Sequence, residues 1–198
     1  EFSHVEYLFT QGKYKEGVDF LTSFIKKAPS EQRLVAMMML ADFYADSVGD
    51  YPKARRYWND IVRHGKNINY PVVSAARRKL SGIRKLMENA ADIRPEIDRA
   101  RLHSVRPGSG LTAIQKKELL DDLRNLTDIM ENRPNYYERH ELHYLSGLIH
   151  LKLDHPSQAH RQFSRAVSLK PALYLHLPVL RLSQSARTRW MRDLGNMI

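Results

Sequence analysis

The hydrophobic and polar positions between residues 140 and 171 follow the period of two short α-helices. Apolar residues of the first helix recur at intervals of three and four and so share one face: Leu142, Leu145, Leu148, Ile149 and Leu151. Asp154 and Pro156 interrupt this pattern, because a proline inside a helix lacks one backbone hydrogen bond. The apolar face of the second helix carries Ala159, Phe163, Ala166 and Val167. We expect Ser157 to cap this second helix, which ends before Pro171. Neither helix can bury its apolar face alone, so the pair predicts neighbouring helices on both sides.

Similar periodicity along the rest of the chain predicts an all-α protein. The predicted helices cover residues 1–11, 13–28, 30–46, 52–64, 95–105 and 112–131, with a further helix that starts at Pro71. Proline suits the first helical position, and Thr112 is placed to cap the helix that follows it. The last predicted helix starts at Val179 and carries Leu182, Ala186, Trp190 and Leu194 on one face. A stack of helices needs an end unit to cover its last exposed face, and we expect this C-terminal helix to be that cap.

Small and aromatic residues recur at matching positions in three segments. The first segment has residues 12–17, followed by Leu21, Phe24 and Pro29. The second has residues 49–54, followed by Trp58 and Ile61. The third has Gly147, Ala159, Phe163, Ala166 and Pro171. These residues resemble the tetratricopeptide (TPR) motif, a repeat of about 34 residues with small residues at two helix contacts and a proline at its end. In the third segment, His143, Ser146 and His150 stand where the family usually has Trp, Leu and Tyr. Gly17 and Ala54 hold matching positions in the first and second segments and lie 37 residues apart. When the second segment is aligned with the motif, one extra residue is left in the turn near 47–49.

The resemblance implies a stack of antiparallel helix hairpins, wound into a right-handed superhelix and closed by the C-terminal capping helix. The clearest break in the pattern is the Pro-Gly-Ser-Gly stretch at 107–110. We therefore predict an N-terminal helical lobe over residues 1–106, a linker or loop over 107–111, and a C-terminal helical lobe over 112–198. The same break is compatible with a loop inside one continuous superhelix. Glu1-Phe2 falls in the middle of a first helix, so we expect further sequence upstream or a cloning remnant.

Composition narrows the class of protein. The 198 residues are 42% hydrophobic and 27% charged, proportions typical of a folded water-soluble protein, and no apolar run approaches the roughly 20 residues of a membrane span. The absence of cysteine excludes disulfides, thiolate chemistry and cysteine-bound zinc, and it is compatible with either the cytoplasm or the periplasm. Tyr70-Pro71 followed by residues 75–80 resembles the closing helix of TPR lipoproteins that work in the bacterial envelope. We therefore expect a bacterial protein, with its compartment left open.

The sequence shows no clear pattern for catalysis or metal binding. His140, His143 and His150 have helical spacing, but the H-E-x-x-H zinc pattern is absent. His143 and His150 occupy positions where the TPR family packs aromatic rings, so we favour half-buried rings in the helical core over a metal site. The chain has neither a G-x-S-x-G nucleophile elbow nor a G-x-x-x-x-G-K phosphate loop, and we expect Asp121 and Asp122 to lie on a solvated helix face. The sequence therefore predicts no enzyme, no metal and no cofactor.

Positive charge is concentrated in the middle of the chain. Residues 1–50 contain 5 Lys or Arg against 8 Asp or Glu, residues 51–106 contain 14 against 5, and residues 107–198 contain 13 against 9. The excess defines a predicted basic surface on two consecutive helices, which consists of Arg55, Arg56, Arg77, Arg78, Arg84 and Lys85. Such a surface could bind phosphates, so an alternative function is binding of nucleic acid or another anionic surface through residues 53–101. The competing interpretation is an ordinary solvated face, which we favour because no nucleic-acid motif accompanies the charge.

The TPR resemblance also implies a ligand groove, because family members bind peptides along the concave surface of their first helices. The matching positions here are Phe9, Met38, Met39, Asp42, Tyr144, Leu148 and Lys152. The Lys and Asn with which some members grip a C-terminal carboxylate are missing, whereas flexible Met side chains suit an amphipathic helix or an apolar peptide. The chain's own helices at 112–131 or 179–196 could equally fill the groove. We predict a non-catalytic scaffold or adaptor that binds a protein or peptide partner, as part of a larger assembly.

Overall fold

Nine α-helices follow one another in the part of the chain that the computed structural model describes, which comprises residues 2–65, 71–105 and 110–175. They are α1 (Phe2–Thr10), α2 (Tyr14–Lys27), α3 (Ser30–Phe43), α4 (Tyr51–His64), α5 (Pro71–Glu88), α6 (Arg94–Val105), α7 (Ala113–Asn132), α8 (Arg139–Lys152) and α9 (Pro156–Leu169). A π-helical turn (Tyr44–Val48) continues α3, and a 3₁₀ turn (Leu173–Leu175) follows α9. No strand occurs in these ranges, so the all-α prediction is confirmed for them.

Local sequence chemistry explains where several helices begin. Thr112 caps α7 as predicted: its side-chain oxygen accepts a hydrogen bond from the Gln115 N–H at 3.2 Å, and the Gln115 side chain accepts one from the Thr112 N–H at 2.9 Å. Pro71 begins α5, also as predicted. The prediction that Ser157 caps α9 is wrong. Pro156 itself occupies the first helical position, where its missing N–H is not needed.

The extra residue predicted near 47–49 coincides with the π-helical turn. Helix hydrogen bonds in such a turn span one residue more than in an α-helix, which is how a helix accommodates an inserted residue. Gly49, with a φ of 82°, ends the turn in the left-handed conformation, and the Asp50 N–H donates to the Tyr44 carbonyl at 2.8 Å. Asp50 then caps α4 by accepting a hydrogen bond from the Lys53 N–H at 2.9 Å. The turn therefore lets α3 and α4 pack as a hairpin despite the inserted residue.

Contacts divide the described residues into two units, and the first comprises those up to Lys85 together with those from Pro171 to Leu175. In this unit α1 packs against α2, α2 against α3, and α3 against α4. The ring of Phe9 in α1 also stacks on that of Phe43 in α3, with centroids 4.4 Å apart. The buried side chains of α3 are Leu34, Ala36, Met37, Leu40, Ala41 and Phe43. A helix that is apolar over most of its circumference needs neighbours on several sides, and α3 has them.

The segment after α9 completes the core of the first unit. Ala172 is fully buried and Leu173 is 2% exposed. The Ala172 N–H donates to the Ser47 carbonyl of the π-helical turn at 2.9 Å. Residues that are far apart in sequence thus share one core, and the second unit is inserted between them in the chain.

The second unit runs from Leu86 to Lys170 and contains α6–α9. Helix α8 packs against α6, α7 and α9, so that most of its circumference is buried. Its buried residues are His140, Leu142, His143, Tyr144, Leu145, Ser146, Gly147, Leu148 and Ile149. Gly147 allows α8 and α9 to approach closely, because a Cβ atom there would lie 2.5 Å from Cε1 of Phe163. Gly147 is therefore the small residue at the contact between these two helices.

The predicted lobe boundary at 107–111 does not coincide with the division between these units. Helix α6 precedes the boundary in sequence, yet it packs against α7 and α8, which follow it, and its Ile97 and Ala100 are buried. Residues 106–109 and the predicted capping helix at 179–196 lie outside the described residues. The two lobes and the TPR superhelix stay predictions.

Candidate functional site

The six cationic side chains of the predicted basic surface are all exposed on α4 and α5. We call this set the basic face: Arg55, Arg56, Arg77, Arg78, Arg84 and Lys85. Five of the six, all except Arg84, form no ion pair with any described residue. The local sequence explains this, because residues 61–87 contain seven Lys or Arg and no Asp or Glu. Arg78 and Lys85 are two helical turns apart on α5, so they project from the same side.

Lys79 differs from the other cations of α5 because the fold uses its charge. Its Nζ lies 3.3 Å from Asp42 of α3 and 4.0 Å from Asp46 of the π-helical turn. The same ammonium lies 5.9 Å from the ring centroid of Trp58 in α4. Lys79 therefore joins α5 to α3 and α4 within the first unit.

The arginines of α6 are also committed to ion pairs. Arg94 lies 3.1 Å from Glu138, Arg99 lies 3.1 Å from Asp122, and Arg101 pairs with Glu141. Burial lowers the pKa of Arg94, but Glu138 acting together with Tyr136, Tyr137 and Glu141 outweighs this effect and raises the pKa above its ordinary value. The predicted basic segment at 53–101 therefore has two parts. The arginines of α6 pair with carboxylates of α7, of the loop after α7 and of α8, whereas the side chains of the basic face on α4 and α5 are exposed to solvent.

Two tyrosines complete the environment of Glu138, which is 8% exposed. The Tyr136 hydroxyl donates to Glu138 Oε2 at 2.9 Å, and the Tyr137 hydroxyl accepts from Arg94 at 3.0 Å. Burial raises the pKa of both tyrosines, and the adjacent Glu138 carboxylate raises it further. The phenols are therefore neutral: Tyr136 donates to the buried carboxylate and Tyr137 accepts from the arginine beside it, which are structural roles.

The prediction that Asp122 lies on a solvated face is wrong. Asp122 is 2% exposed, and its carboxylate accepts from Arg99 Nε at 3.1 Å and contacts His103 Nδ1 at 2.7 Å. Burial of a carboxylate requires such partners, and both come from α6. Asp121, by contrast, is about half exposed and pairs with Arg124 at 3.4 Å. The sequence does contain a signal for this burial, since Asp122 stands at core spacing between Leu119 and Leu126.

The predicted groove residues of α8 do not line an open surface. Tyr144 is 8% exposed and Leu148 is 7% exposed, and the Tyr144 ring packs against that of Phe163 with centroids 5.8 Å apart. Burial raises the pKa of Tyr144. Lys152 is half-buried, and its Nζ donates to the His103 carbonyl at 2.8 Å. In the second unit, helices α6 and α7 pack against α8, as expected if the chain covers its own groove positions.

The predicted groove residues of the first unit are partly accessible. Phe9 is half-buried between Phe43 and Gly17, whereas Met38 and Met39 are half-buried on α3. Asp42 is held by Lys79. Of the seven predicted groove residues, Met38 and Met39 thus offer apolar surface to a partner.

Two histidines of α8, His140 and His143, are core side chains, and His150 is half-buried. His140 and His143 are 3% and 5% exposed, and His143 Nδ1 lies 2.8 Å from Gln162 Oε1. Burial lowers the pKa of His143, and burial together with the neighbouring His155 lowers the pKa of His150. Within the described residues, no group of three or more His, Cys, Asp or Glu side chains is arranged to hold a metal ion.

A cavity of about 270 Å³ lies in the second unit beside the buried Asp122–His103 pair. Its wall contains three leucines (Leu111, Leu119 and Leu153), and its polar residues include His103, Lys116, Glu118, Lys152 and Asp154. Asp154 has a φ of 60°, in the left-handed region, because it follows α8 in a Schellman motif. In this motif the Asp154 N–H donates to the Leu151 carbonyl at 3.2 Å, and the His155 N–H donates to the His150 carbonyl at 2.9 Å. Sequence reasoning missed this cavity.

Comparison with known proteins leaves the family of the chain open. No described helix combines the length and apolar character needed to cross a membrane. No protein-family model matches the chain, and neither a curated protein nor a solved structure matches it. Membership of the TPR family therefore stays a prediction that rests on the repeated small and aromatic positions.

Proposed function

We propose that the chain is a non-catalytic, TPR-like helical scaffold that binds an acidic partner protein on the basic face of α4 and α5. The observation that carries this proposal is a contrast between two groups of cations. The arginines of α6 are paired with carboxylates, whereas five of the six side chains of the basic face form no ion pair with any described residue. Exposed charges that do not stabilise the fold are suited to steering and binding a partner of opposite charge.

The first unit also offers apolar contacts to a partner. Met38 and Met39 are half-buried on α3, and methionine side chains adapt to irregular apolar surfaces. In the second unit, Tyr144 and Leu148 are buried and therefore less suited to this role. We accordingly place partner binding on the first unit.

A second candidate function is binding of nucleic acid by the same basic face, which the acid-free stretch at 61–87 favours. Single-stranded nucleic acid is usually bound with exposed aromatic rings on which the bases stack. Two of the three aromatic side chains of α4 are used elsewhere: Trp58 is 2% exposed, and Tyr57 stacks on Tyr44 with centroids 6.0 Å apart. For this reason we favour a protein partner.

The test compares two double variants with equal changes in net charge. Arg78→Glu with Lys85→Glu reverses part of the basic face. Arg161→Glu with Arg165→Glu reverses two exposed cations of α9 that likewise form no ion pair with a described residue. Fluorescence anisotropy would measure the binding of three labelled probes: a glutamate-rich peptide, a single-stranded oligonucleotide and a duplex.

We expect the wild type to bind the glutamate-rich peptide, with an affinity that falls as salt rises. The α5 double variant should bind it about tenfold more weakly or worse, and the α9 control should stay within about twofold of the wild type. Equal losses in both variants would indicate a non-specific charge effect and contradict the proposal. Stronger binding of either oligonucleotide than of the peptide would favour the second candidate. A Met38→Asp variant separates the apolar contribution to binding from the electrostatic one. Loss of an apolar contact should weaken binding by an amount that depends little on salt.

A further inference from the structure

We propose that the cavity of the second unit is a binding site for a small zwitterion, of the size of a free amino acid with an apolar side chain. The basic face belongs to the other unit and plays no part in the argument, so the proposal can fail or succeed independently of the proposed function. Its evidence is the chemistry of the cavity wall, which combines two lysines, two carboxylates, three leucines and His103, whose ring contacts the buried Asp122.

His103 presents one defined ring nitrogen to this region. An ionised carboxylate only accepts hydrogen bonds, so His103 Nδ1 donates in its 2.7 Å contact with Asp122. The buried carboxylate thereby fixes the tautomer and orientation of the ring. Nε2 has no hydrogen-bond partner among the described residues, and His103 lines the cavity. In the neutral ring this tautomer leaves a lone pair on Nε2, which can accept a hydrogen bond from the ammonium group of a ligand.

Positive charge lies beside this imidazole. The Nζ atom of Lys152 donates to the His103 carbonyl at 2.8 Å, which places an ammonium next to the ring. Lys116 lies on the same wall and forms no ion pair with a described residue. The two ammonium groups together suit a carboxylate.

Asp154 occupies its position against two local penalties. Its φ of 60° strains any residue that has a Cβ, and glycine would avoid that strain. Its carboxylate also lies just beyond the C-terminus of α8, where the helix dipole disfavours negative charge. A carboxylate on the cavity wall suits an ammonium group. Glu118 on the same wall adds a second carboxylate, and neither acid forms an ion pair with a described residue.

The size and the apolar part of the cavity limit what the ligand can be. Leu111, Leu119 and Leu153 provide apolar contacts, and Leu119 is 3% exposed. A volume of about 270 Å³ lies at the lower end of the range for ligand pockets. An apolar amino acid has the required size, one charge of each sign and an apolar side chain.

The experiment titrates the full chain, labelled with ¹⁵N, with leucine, valine, methionine and phenylalanine in turn, and follows the amide signals. Two analogues of leucine serve as controls: 4-methylpentanoate lacks the ammonium group, and 3-methylbutylamine lacks the carboxylate. We expect at least one amino acid to bind with a dissociation constant on the order of 1 mM or below, and to shift the signals of residues 103, 110–119 and 152–154. Its two analogues should bind at least about tenfold more weakly.

Substitutions distinguish a binding role from a structural role. Asp154→Gly should raise the melting temperature, because glycine relieves the backbone strain, and should weaken ligand binding at least about tenfold. His103→Gln should weaken binding as well. Asp121→Asn, on the same helix as Glu118 but outside the cavity wall, should leave binding unchanged. The proposal is overturned if none of the four amino acids binds, if 4-methylpentanoate binds as tightly as leucine, or if Asp154→Gly binds as tightly as the wild type.

Discussion

At the scale of single residues, contacts between a glycine and an aromatic ring set the spacing of helices. Gly147 of α8 lies against Phe163 of α9, and Gly17 of α2 lies against Phe9 of α1. We expect Gly147→Ala to lower the free energy of unfolding by about 1–3 kcal/mol, because its Cβ would lie 2.5 Å from the Phe163 ring and force the two helices apart. Urea unfolding followed by circular dichroism would measure the change.

Gly82→Ala is the matched control for this prediction. Gly82 is exposed within α5, and a Cβ there would have no atom within 4 Å. Since alanine favours the helix more than glycine does, the control should raise the free energy of unfolding by about 0.5–1 kcal/mol. Destabilisation by both substitutions would contradict the steric explanation for Gly147.

His143 makes stability depend on pH. Burial lowers its pKa in the folded state below the ordinary value of 6.5, so the folded protein binds fewer protons than the unfolded chain near that pH. The contribution of His143 is therefore fully present above about pH 6.5 and is lost as the pH falls below it. We expect the free energy of unfolding to decrease between about pH 7.5 and pH 5.5, and to decrease less in His143→Gln. An equal decrease in both proteins would assign the effect to other groups, of which His150 is the first candidate.

At the scale of helices, charged residues of α6 contribute to its packing against α7. The buried Asp122 carboxylate contacts two side chains of α6, the guanidinium of Arg99 and the ring of His103. We expect Arg99→Ala to lower the free energy of unfolding by about 1–2 kcal/mol, because it leaves a buried carboxylate with one partner fewer.

Arg124→Ala is its control on α7, where the exposed pair with Asp121 should contribute less than about 0.5 kcal/mol. Thermal and urea unfolding of both variants would measure the difference. Similar effects would show that the burial of Asp122 does not depend on Arg99.

Helix positions and the pairing of consecutive helices could be predicted from the sequence, but contacts between helices farther apart in the chain could not. The apolar period and the caps are local, so helices such as α5 and α7 begin where Pro71 and Thr112 indicate. Burial of Asp122 depends on Arg99 and His103, which lie on another helix and carry no local signal of that pairing. Apolar residues are equally compatible with several neighbours, so the apolar pattern of α6 does not indicate that it packs against α7 and α8.

For the candidate sites as well, local features could be predicted from the sequence, whereas features that depend on contacts between distant segments could not. Exposure of the basic face could be predicted, because its side chains lie out of phase with the buried Val73, Ala76 and Ile83 of α5. Burial of Tyr144 and Leu148 depends on which helices cover α8, and one helix pattern does not specify that. The cavity could not be predicted, because its wall combines residues from three separate segments of the chain.

At the scale of the whole molecule, residues beyond the second unit stabilise the first. Leu173 is 2% exposed in the first unit, next to Ala172, whose N–H donates to Ser47. We expect Leu173→Ala to lower the free energy of unfolding by about 2–4 kcal/mol. Hydrogen exchange should then speed up in α3 and the π-helical turn more than in α8. Uniform acceleration across both units would contradict this assignment.

The position of Ala172 and Leu173 also has a consequence for protein synthesis. The ribosome makes α1–α5 first, yet two side chains of their core emerge only after residues 86–170 have been made. The first unit therefore cannot reach its final packing early in translation, although N-terminal regions generally fold first. During that interval the nascent chain exposes the apolar surface that these two residues later cover, and a chaperone could recognise it.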